Sequence, residues 1–367
     1  MQLLEPVRVG AYALKSRIVM APMARARSDQ DRAPTPMVAQ YYAQRALVGL
    51  IVTEASSVSP RSVSRPGASA IFMARHEAGW RGVAAAVHAK GGIIFQQLYH
   101  LGRKSDPTRM EAGTVPVAPS AIAAQGQVAG VNGPVPFATP RALATDEIQG
   151  IVQEFRQAAL RAHAAGMDGV EVHGANAYLL DQFLRDGTNR RTDRYGGSPA
   201  NRARLLLEVV HAAIAVFGAD RVGVRLSPHA LGDGIADSDP AATFGHAAGA
   251  LNELGLAYLH VIEARVPGLP QSPPPGTASL APLMRRVFRG PLIVNGGYDW
   301  ESANQVIAEG AADLVSFAAL MIANPDLPER FRRNAAFNAP DRASFYDGGA
   351  KGYTDYPALD ELPAATR

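Results

Sequence analysis

The chain contains no cysteine. That excludes disulfides, thiolate catalysis and any metal site built on cysteine. It has no apolar run approaching the ~18 residues of a membrane span, so no membrane partner is expected. Its start, Met1-Gln2-Leu3-Leu4-Glu5-Pro6, lacks the basic opening and apolar stretch of a secretory signal. A cytoplasmic location is the default expectation. Charge of one sign is also scarce. The net charge is +3, and the Lys and Arg residues are scattered rather than clustered, so there is no basic stripe for nucleic acid. No Gly-x-Gly-x-x-Gly turn follows the first apolar run, which argues against a doubly wound dinucleotide fold.

What is present is apolar and periodic. Of 367 residues, 47% are hydrophobic, enough for one large core. α/β barrels routinely exceed 200 residues as one domain, so a single domain spanning 1–367 is expected. Short β-rich runs fall at 18–23, 50–55, 93–98, 169–173, 222–226, 258–263, 292–295 and 314–317. They are continuous rather than alternating, as strands buried on both faces should be. Between them lie helical patterns. The clearest covers 146–166, with Ile148, Ile151, Val152, Phe155, Ala159 and Ala162 on one stripe, Thr145 as N-cap and Gly166 as stop. A second covers 201–218. Eight strands each followed by a helix describe a (β/α)8 TIM barrel. Residues 7–15, turning near Gly10, predict a hairpin closing its bottom. The Gly-, Pro- and Ala-rich stretch 104–145 is too long for an ordinary βα connection and is expected to cap the active face. Residues 265–279 form another long connection.

Barrel enzymes react at the C-terminal ends of their strands. That rule brings Pro22, Met23 and Ala24, then Ala55, Gln97, Tyr99 and His100, to one mouth. It adds His173 with Asn176 and Tyr178 just beyond, Arg225, Gly296-Gly297 and Ala318-Ala319. An imidazole and a carboxamide beside a phenol suit a site that grips an oxygen and delivers a proton nearby. Arg225 in an apolar strand needs an anion, a developing negative charge, or a structural partner such as Glu171 or Glu263. Gly296-Gly297 could cradle a phosphate or be a plain tight turn. His100 fits core and site equally.

The chain resembles the old yellow enzyme family of FMN-dependent ene-reductases, in its bacterial branch. The motifs that carry the resemblance run along nearly the whole chain. They are Arg17-Ile18-Val19-Met20-Ala21-Pro22-Met23, Gln97-Leu98-Tyr99-His100-Leu101-Gly102-Arg103, and the His173–Tyr178 cluster with Arg191-Thr192-Asp193-Arg194-Tyr195-Gly196-Gly197-Ser198. Gly223-Val224-Arg225-Leu226-Ser227-Pro228, Ile322-Ala323-Asn324-Pro325-Asp326-Leu327 and Gly352-Tyr353-Thr354-Asp355-Tyr356-Pro357 complete them. The resemblance implies FMN across the barrel mouth, reduced by NADPH or NADH. The flavin N5 would then pass hydride to an activated alkene. It implies that His173 and Asn176 hold the carbonyl or nitro oxygen and that Tyr178 donates the proton. It also implies that Gln97 and Arg225 meet the flavin ring, and that Tyr353 lies near the substrate cavity; Tyr99, at the end of its strand, is expected in the substrate pocket wall. The expected partners are small activated alkenes, with no metal, in a monomer or homodimer.

The chain departs from the family pattern in places. Phe317-Ala318-Ala319 stands where Phe-Gly-Arg or Phe-Ala-Arg is usual, so the phosphate-gripping Arg is missing. Ala24 replaces the usual Thr or Cys beside the flavin C4 carbonyl, which should make the flavin a weaker oxidant. Tyr99 replaces a Trp, and Arg65 replaces a substrate-side Tyr. Two other readings are a barrel that binds a ligand without redox turnover and a metal-dependent hydrolase using His100 and His173. Asn176 would serve zinc poorly, and no His-x-His motif ends the first strand.

Losing one charge-assisted hydrogen bond weakens binding by roughly 10–100-fold. Ala319→Arg is therefore expected to tighten FMN binding by about that factor, read by quenching of free flavin fluorescence. Wild-type protein that keeps one FMN per chain through dialysis would show the grip was never weakened.

Overall fold

A computed structural model describes residues 2–63, 65–229, 232–263 and 277–361. Eight parallel strands close on themselves. They are β1 (Ile18–Met20), β2 (Leu50–Val52), β3 (Ile94–Tyr99), β4 (Gly169–Gly174), β5 (Val222–Leu226), β6 (Tyr258–Ile262), β7 (Leu292–Asn295) and β8 (Leu314–Phe317). β8 pairs with β1, and β3 pairs with β4, so no barrel edge is left open. The helices are α1 (Pro36–Gln44), α2 (Ala74–His88), α3 (Ile148–Ala164), α4 (Leu179–Leu184) and α5 (Pro199–Phe217). They continue with α6 (Pro240–Asn252), α7 (Ala281–Val287), α8 (Trp300–Ala308), α9 (Ala319–Ala323) and α10 (Leu327–Arg333). This is the (β/α)8 barrel expected from the eight apolar runs.

Each strand sorts its residues by parity. Val170 and Val172 of β4 pack outward with Ile151 and Phe155 of α3 and Leu206 of α5. The alternate residues, Glu171 and His173, therefore face the axis. The lower interior is an apolar plug: Val19, Leu50, Val52, Phe95, Tyr258, Ile293 and Leu314. Val9 and Leu14 close it from below. They come from the N-terminal hairpin, whose strands Val7–Val9 and Tyr12–Leu14 pair antiparallel. Gly10 turns between them at φ +52°, and a Cβ there would sit 1.9 Å from the Asp220 carbonyl oxygen.

Local signals explain most helix ends. Ser198 accepts from the Asn201 N–H at 3.3 Å ahead of Pro199, and Gly218 stops α5 at φ +82°. The start of α3 differs from expectation. Thr145 does not cap it, because its hydroxyl bonds the Asp193 carboxylate instead. Glu147 precedes the helix and its carboxylate takes the Ala144 N–H at 2.7 Å. The carboxylate reaches back three residues to fix the chain entering α3, and no side chain caps the first helical N–H groups.

The stretch 104–145 carries the 3-10 turn Pro107–Arg109 and short strands. Val117–Ala118 pairs parallel with Arg141–Ala142, and Gln127–Val128 forms a hairpin with Val135–Pro136. It lies against the loops leaving β4 and β5. The Arg190 N–H bonds Ser120 Oγ at 2.9 Å, and the Gln125 N–H bonds the Asp233 carbonyl at 3.0 Å. Of the connection read across 265–279, residues up to Gly276 lie outside the described residues.

Inside the barrel, a Cβ at Gly223 would fall 2.2 Å from the Tyr258 ring. Gly223→Ala should cost about 1–3 kcal/mol through overpacking, seen as a lower urea midpoint. On α2, a Cβ at Gly82 meets nothing within 4 Å. Gly82→Ala should raise stability by about 0.5–1 kcal/mol.

Candidate active site

Above the apolar plug the interior turns polar. Gln97, Glu171, Arg225, His260, Asn295 and Ser316 come from β3 to β8, and the strand registers set several of them side by side. Glu171 is fully buried and accepts from Gln97 Nε2 at 2.6 Å and from His260 Nδ1 at 2.9 Å. His260 Nε2 meets Ser316 Oγ at 2.8 Å. Burial pushes the Glu171 carboxyl up, but His260, Arg225 and Gln97 together outweigh it and hold it below its ordinary value. Burial holds the His260 imidazole down, opposed by Glu171. An ionised Glu171 thus balances the charge of Arg225 across a neutral His260.

Arg225 makes no ion pair among the described residues. Its Nη2 donates to Asn295 Oδ1 at 3.1 Å, and its buried Nε has no partner. The two carboxylates that could have claimed it are engaged elsewhere. Glu171 bonds His260, while Glu263 accepts from Ser279 Oγ at 2.6 Å and from the Tyr298 hydroxyl.

The cluster after β4 is held by a strained turn. Asn176 and Ala177 both take left-handed conformations, φ +59° and +60°, each costing on the order of 1–3 kcal/mol. Three bonds hold them there. The Asn176 N–H donates to Ser227 Oγ at 2.9 Å, the Ala177 N–H to Asp181 Oδ2 at 2.9 Å, and Gln182 Nε2 to the Ala177 carbonyl at 2.7 Å. Asp181 is itself bonded to Arg185 Nε at 2.8 Å with both side chains buried. Opposite charges at i and i+4 inside the apolar run 179–185 were a readable sign of a buried pair, though the sequence reading did not single it out.

This turn brings His173, Asn176 and Tyr178 together. The Ala175 N–H donates to His173 Nδ1 at 3.3 Å, which leaves the proton on Nε2. Asn176 Nδ2 lies 3.4 Å from that Nε2. Two N–H donors therefore stand side by side, and neither satisfies the other. The Tyr178 ring centroid is 5.0 Å from His173 and 5.5 Å from Tyr99. Lys104 Nζ, paired with Asp233, sits 5.2 Å from the Tyr178 centroid. Burial holds His173 well below the ordinary histidine value, and Arg225, His260 and Lys104 lower it further. Burial also raises the Tyr178 phenol, with Arg65 opposing. At neutral pH the site presents a neutral imidazole, an amide and a protonated phenol.

Pro22, Met23 and Ala24 follow β1 at the open end, with Ala24 exposed, and Ala55 follows β2. Gly296 and Gly297, at φ +158° and +75°, leave β7 beside Ala318 and Ala319 at the start of α9. The first amides of a helix have no intrahelical partner, so this corner offers N–H donors. Among the described residues, the two arginines tied to α9 and α10 are committed elsewhere. Arg45 bonds the Tyr41, Met321 and Ile322 carbonyls. Arg330 bonds Asp326 and the Ala336 and Pro357 carbonyls.

One reading left open narrows, and one expectation changes. His100 belongs to the wall: Gly102 N–H donates to its Nδ1 at 3.0 Å, and burial with Arg61 pushes its pKa down to about 3. Tyr353 does not face the mouth. It is fully buried and stacked on Tyr41 at 4.1 Å, with Arg25 and Arg27 over its faces at 5.1 and 4.9 Å. Its segment is gripped by those arginines through the carbonyls of Ser344, Phe345, Asp347, Gly349 and Gly352. The aromatic of that segment felt by Tyr178 is Tyr346. No motif announced it, because one exposed tyrosine has no spacing to read.

The family described as NADH:flavin oxidoreductase / NADH oxidase matches residues 2–338. 12-Oxophytodienoate reductase 1 of Oryza sativa subsp. japonica is 41% identical, covering 100% of this chain and 95% of that protein. Among solved structures, the old yellow enzyme homologue of Zymomonas mobilis superposes with a TM-score of 0.94 at 42% identity, covering 98% of this chain and 100% of that one. Morphinone reductase in complex with tetrahydroNAD gives 0.91 at 48% identity, covering 98% of each chain.

Neutral buried imidazoles give a pH test. In the unfolded chain His100 and His173 titrate near ~6.5, but in the folded protein well below. Stability is therefore complete above ~6.5 and falls as pH drops towards the folded values. For His100 the loss at pH 5 should be about 2 kcal/mol, and His173 adds to it in the same direction. Urea midpoints at pH 7.5 and 5 check this, and His100→Gln should reduce the difference.

Proposed function

From a chain that belongs to the NADH:flavin oxidoreductase / NADH oxidase family, and within it to the old yellow enzymes, we propose an NAD(P)H-dependent ene-reductase that reduces activated alkenes, with Tyr178 as proton donor. The relatives support FMN-dependent alkene reduction in general. The observation that carries the finer reading is the pair of unsatisfied donors, His173 Nε2 and Asn176 Nδ2, 3.4 Å apart beside the Tyr178 phenol.

The residues present fit FMN. Gln97 spends its amide N–H on Glu171, which leaves its carbonyl oxygen free to accept from the ring. Arg225 keeps a buried, unpartnered N–H where a ring gaining negative charge would need one. Backbone amides at Gly296, Gly297, Ala318 and Ala319 would take the phosphate, without the help of an arginine at 319. When bound, FMN accepts reducing equivalents from a nicotinamide and supplies hydride to the β-carbon of the alkene.

The protein's own part is then threefold. His173 and Asn176 grip the carbonyl or nitro oxygen and stabilise the negative charge it gains as the double bond is reduced. Both donors are neutral, so they hold an enolate-like oxygen without first protonating it. Tyr178 hands its hydroxyl proton to the α-carbon as a general acid. Burial keeps that phenol protonated across the neutral range, so the acceptor step should be flat between about pH 6 and 9.

Tyr178→Phe should slow acceptor reduction by about 10²–10⁴-fold and leave reduction of the flavin by NADPH nearly unchanged. Anaerobic stopped-flow of the two half-reactions decides it. Equal losses in both would remove Tyr178 from proton transfer.

A further inference from the structure

Arg65 lies in the loop after β2 and is pinned over the mouth from two sides. On one side the Gly67 carbonyl accepts from Ser28 N–H at 3.0 Å, and a Cβ at Gly67 would fall 2.3 Å from the Ala26 carbonyl oxygen. That ties the loop to the exit of β1. On the other side the Asp106 N–H bonds the Val63 carbonyl at 2.8 Å, and the Leu101 N–H bonds Ser62 Oγ at 2.9 Å. That ties it to the exit of β3. The guanidinium itself stacks over the Tyr346 ring, with Cζ 4.1 Å from the centroid. Tyr346 is half exposed, on the segment that Arg25 and Arg27 clamp to the same rim.

A guanidinium with one face on an aromatic ring keeps its in-plane N–H edge for an acceptor. Arg65 is exposed and forms no ion pair among the described residues. The stretch 264–276 contains no Asp or Glu. Arg65 and Tyr346 are the two groups outside the barrel interior that act most strongly on Tyr178. Together with Lys104, whose charge is already matched by Asp233, they give the outer end of the pocket an uncommitted positive charge. The opposite end, at His173 and Asn176, takes a neutral oxygen.

We propose that Arg65, held flat by Tyr346, is a specificity residue that favours activated alkenes carrying a carboxylate at the end remote from the oxygen gripped by His173 and Asn176. The inference rests on the ene-reductase reading for the identity of the pocket. It makes the preferred acceptor bipolar: a carbonyl inside and an anion at the rim.

The test compares N-phenylmaleimide with N-(4-carboxyphenyl)maleimide, which share one reacting double bond. The absence of cysteine leaves no thiol for either to alkylate. Dissociation constants are measured on the oxidised, FMN-loaded protein and turnover on the reduced. Arg65→Gln should weaken the carboxylated imide about threefold to fivefold, the size of a partly exposed charge pair, and leave the neutral imide unchanged. Arg65→Lys should fall between, and 0.5 M salt should erase the difference. Equal weakening of both imides would overturn the proposal and make Arg65 a shaping residue. So would a loss confined to NADPH against NADH, which would assign Arg65 to a phosphate of the reductant. If neither imide is reduced but the Arg65-dependent affinity gap remains, the ene-reductase reading fails and the anion site stands. If the carboxylated imide binds no better than the neutral one in the wild type, the proposal is wrong.

Discussion

The Asp181–Arg185 pair is the interaction on which the site depends. Both side chains are buried, and a buried pair of charges broken on one side costs on the order of 3–5 kcal/mol. It survives because every edge is used. Asp181 accepts from Ala177 N–H and from Arg185, and Arg185 bonds the carbonyls of Ser227 and His229. The pair therefore links the exits of β4 and β5. It also forces two successive non-glycine residues into the left-handed region, and that bend lets one short loop present an imidazole, an amide and a phenol to the same point. Without the ion pair the loop would have no reason to hold such strain.

The second constraint is electrostatic. A barrel interior is dry, and a cation such as Arg225 cannot be placed there without compensation. The compensation comes from Glu171 on the neighbouring strand β4, which makes no direct ion pair with Arg225 and leaves its Nε–H free. Had the two formed a direct pair, Arg225 would have been satisfied and of no use to a ligand. His260 and Gln97 occupy Glu171 instead. The field from Arg225 and Lys104 also helps keep His173 neutral, so that it donates a hydrogen bond rather than a proton.

Much of this was legible along the chain. Strands buried on both faces must be continuous apolar runs, and all eight runs became barrel strands. The cluster His173, Asn176 and Tyr178 could be read because its members lie within six residues at the end of one such run. Thr145 misled, since a hydroxyl that could cap α3 found the Asp193 carboxylate instead, a partner 48 residues away. Tyr353 misled for a similar reason. Its motif placed the segment near the mouth, but stacking on Tyr41 and the arginines around it turned the ring into the core, and Tyr346 took the outer position.

Local order and parity therefore settled the barrel, the mouth and the group of residues that meet there, because these follow from which side chains can be buried and at what period. The sequence alone also determined that the usual cation at position 319 is absent. Only the folded chain decided that neither Arg45 nor Arg330 replaces it, since carbonyls brought close by packing, those of Met321 and Ile322 for Arg45 and of Pro357 for Arg330, take up their N–H groups. The same holds for the charge balance of Arg225 with Glu171 and for the meeting of Arg65 with Tyr346. Contacts between residues tens to hundreds of positions apart carry no local periodicity, and only chain closure selects them.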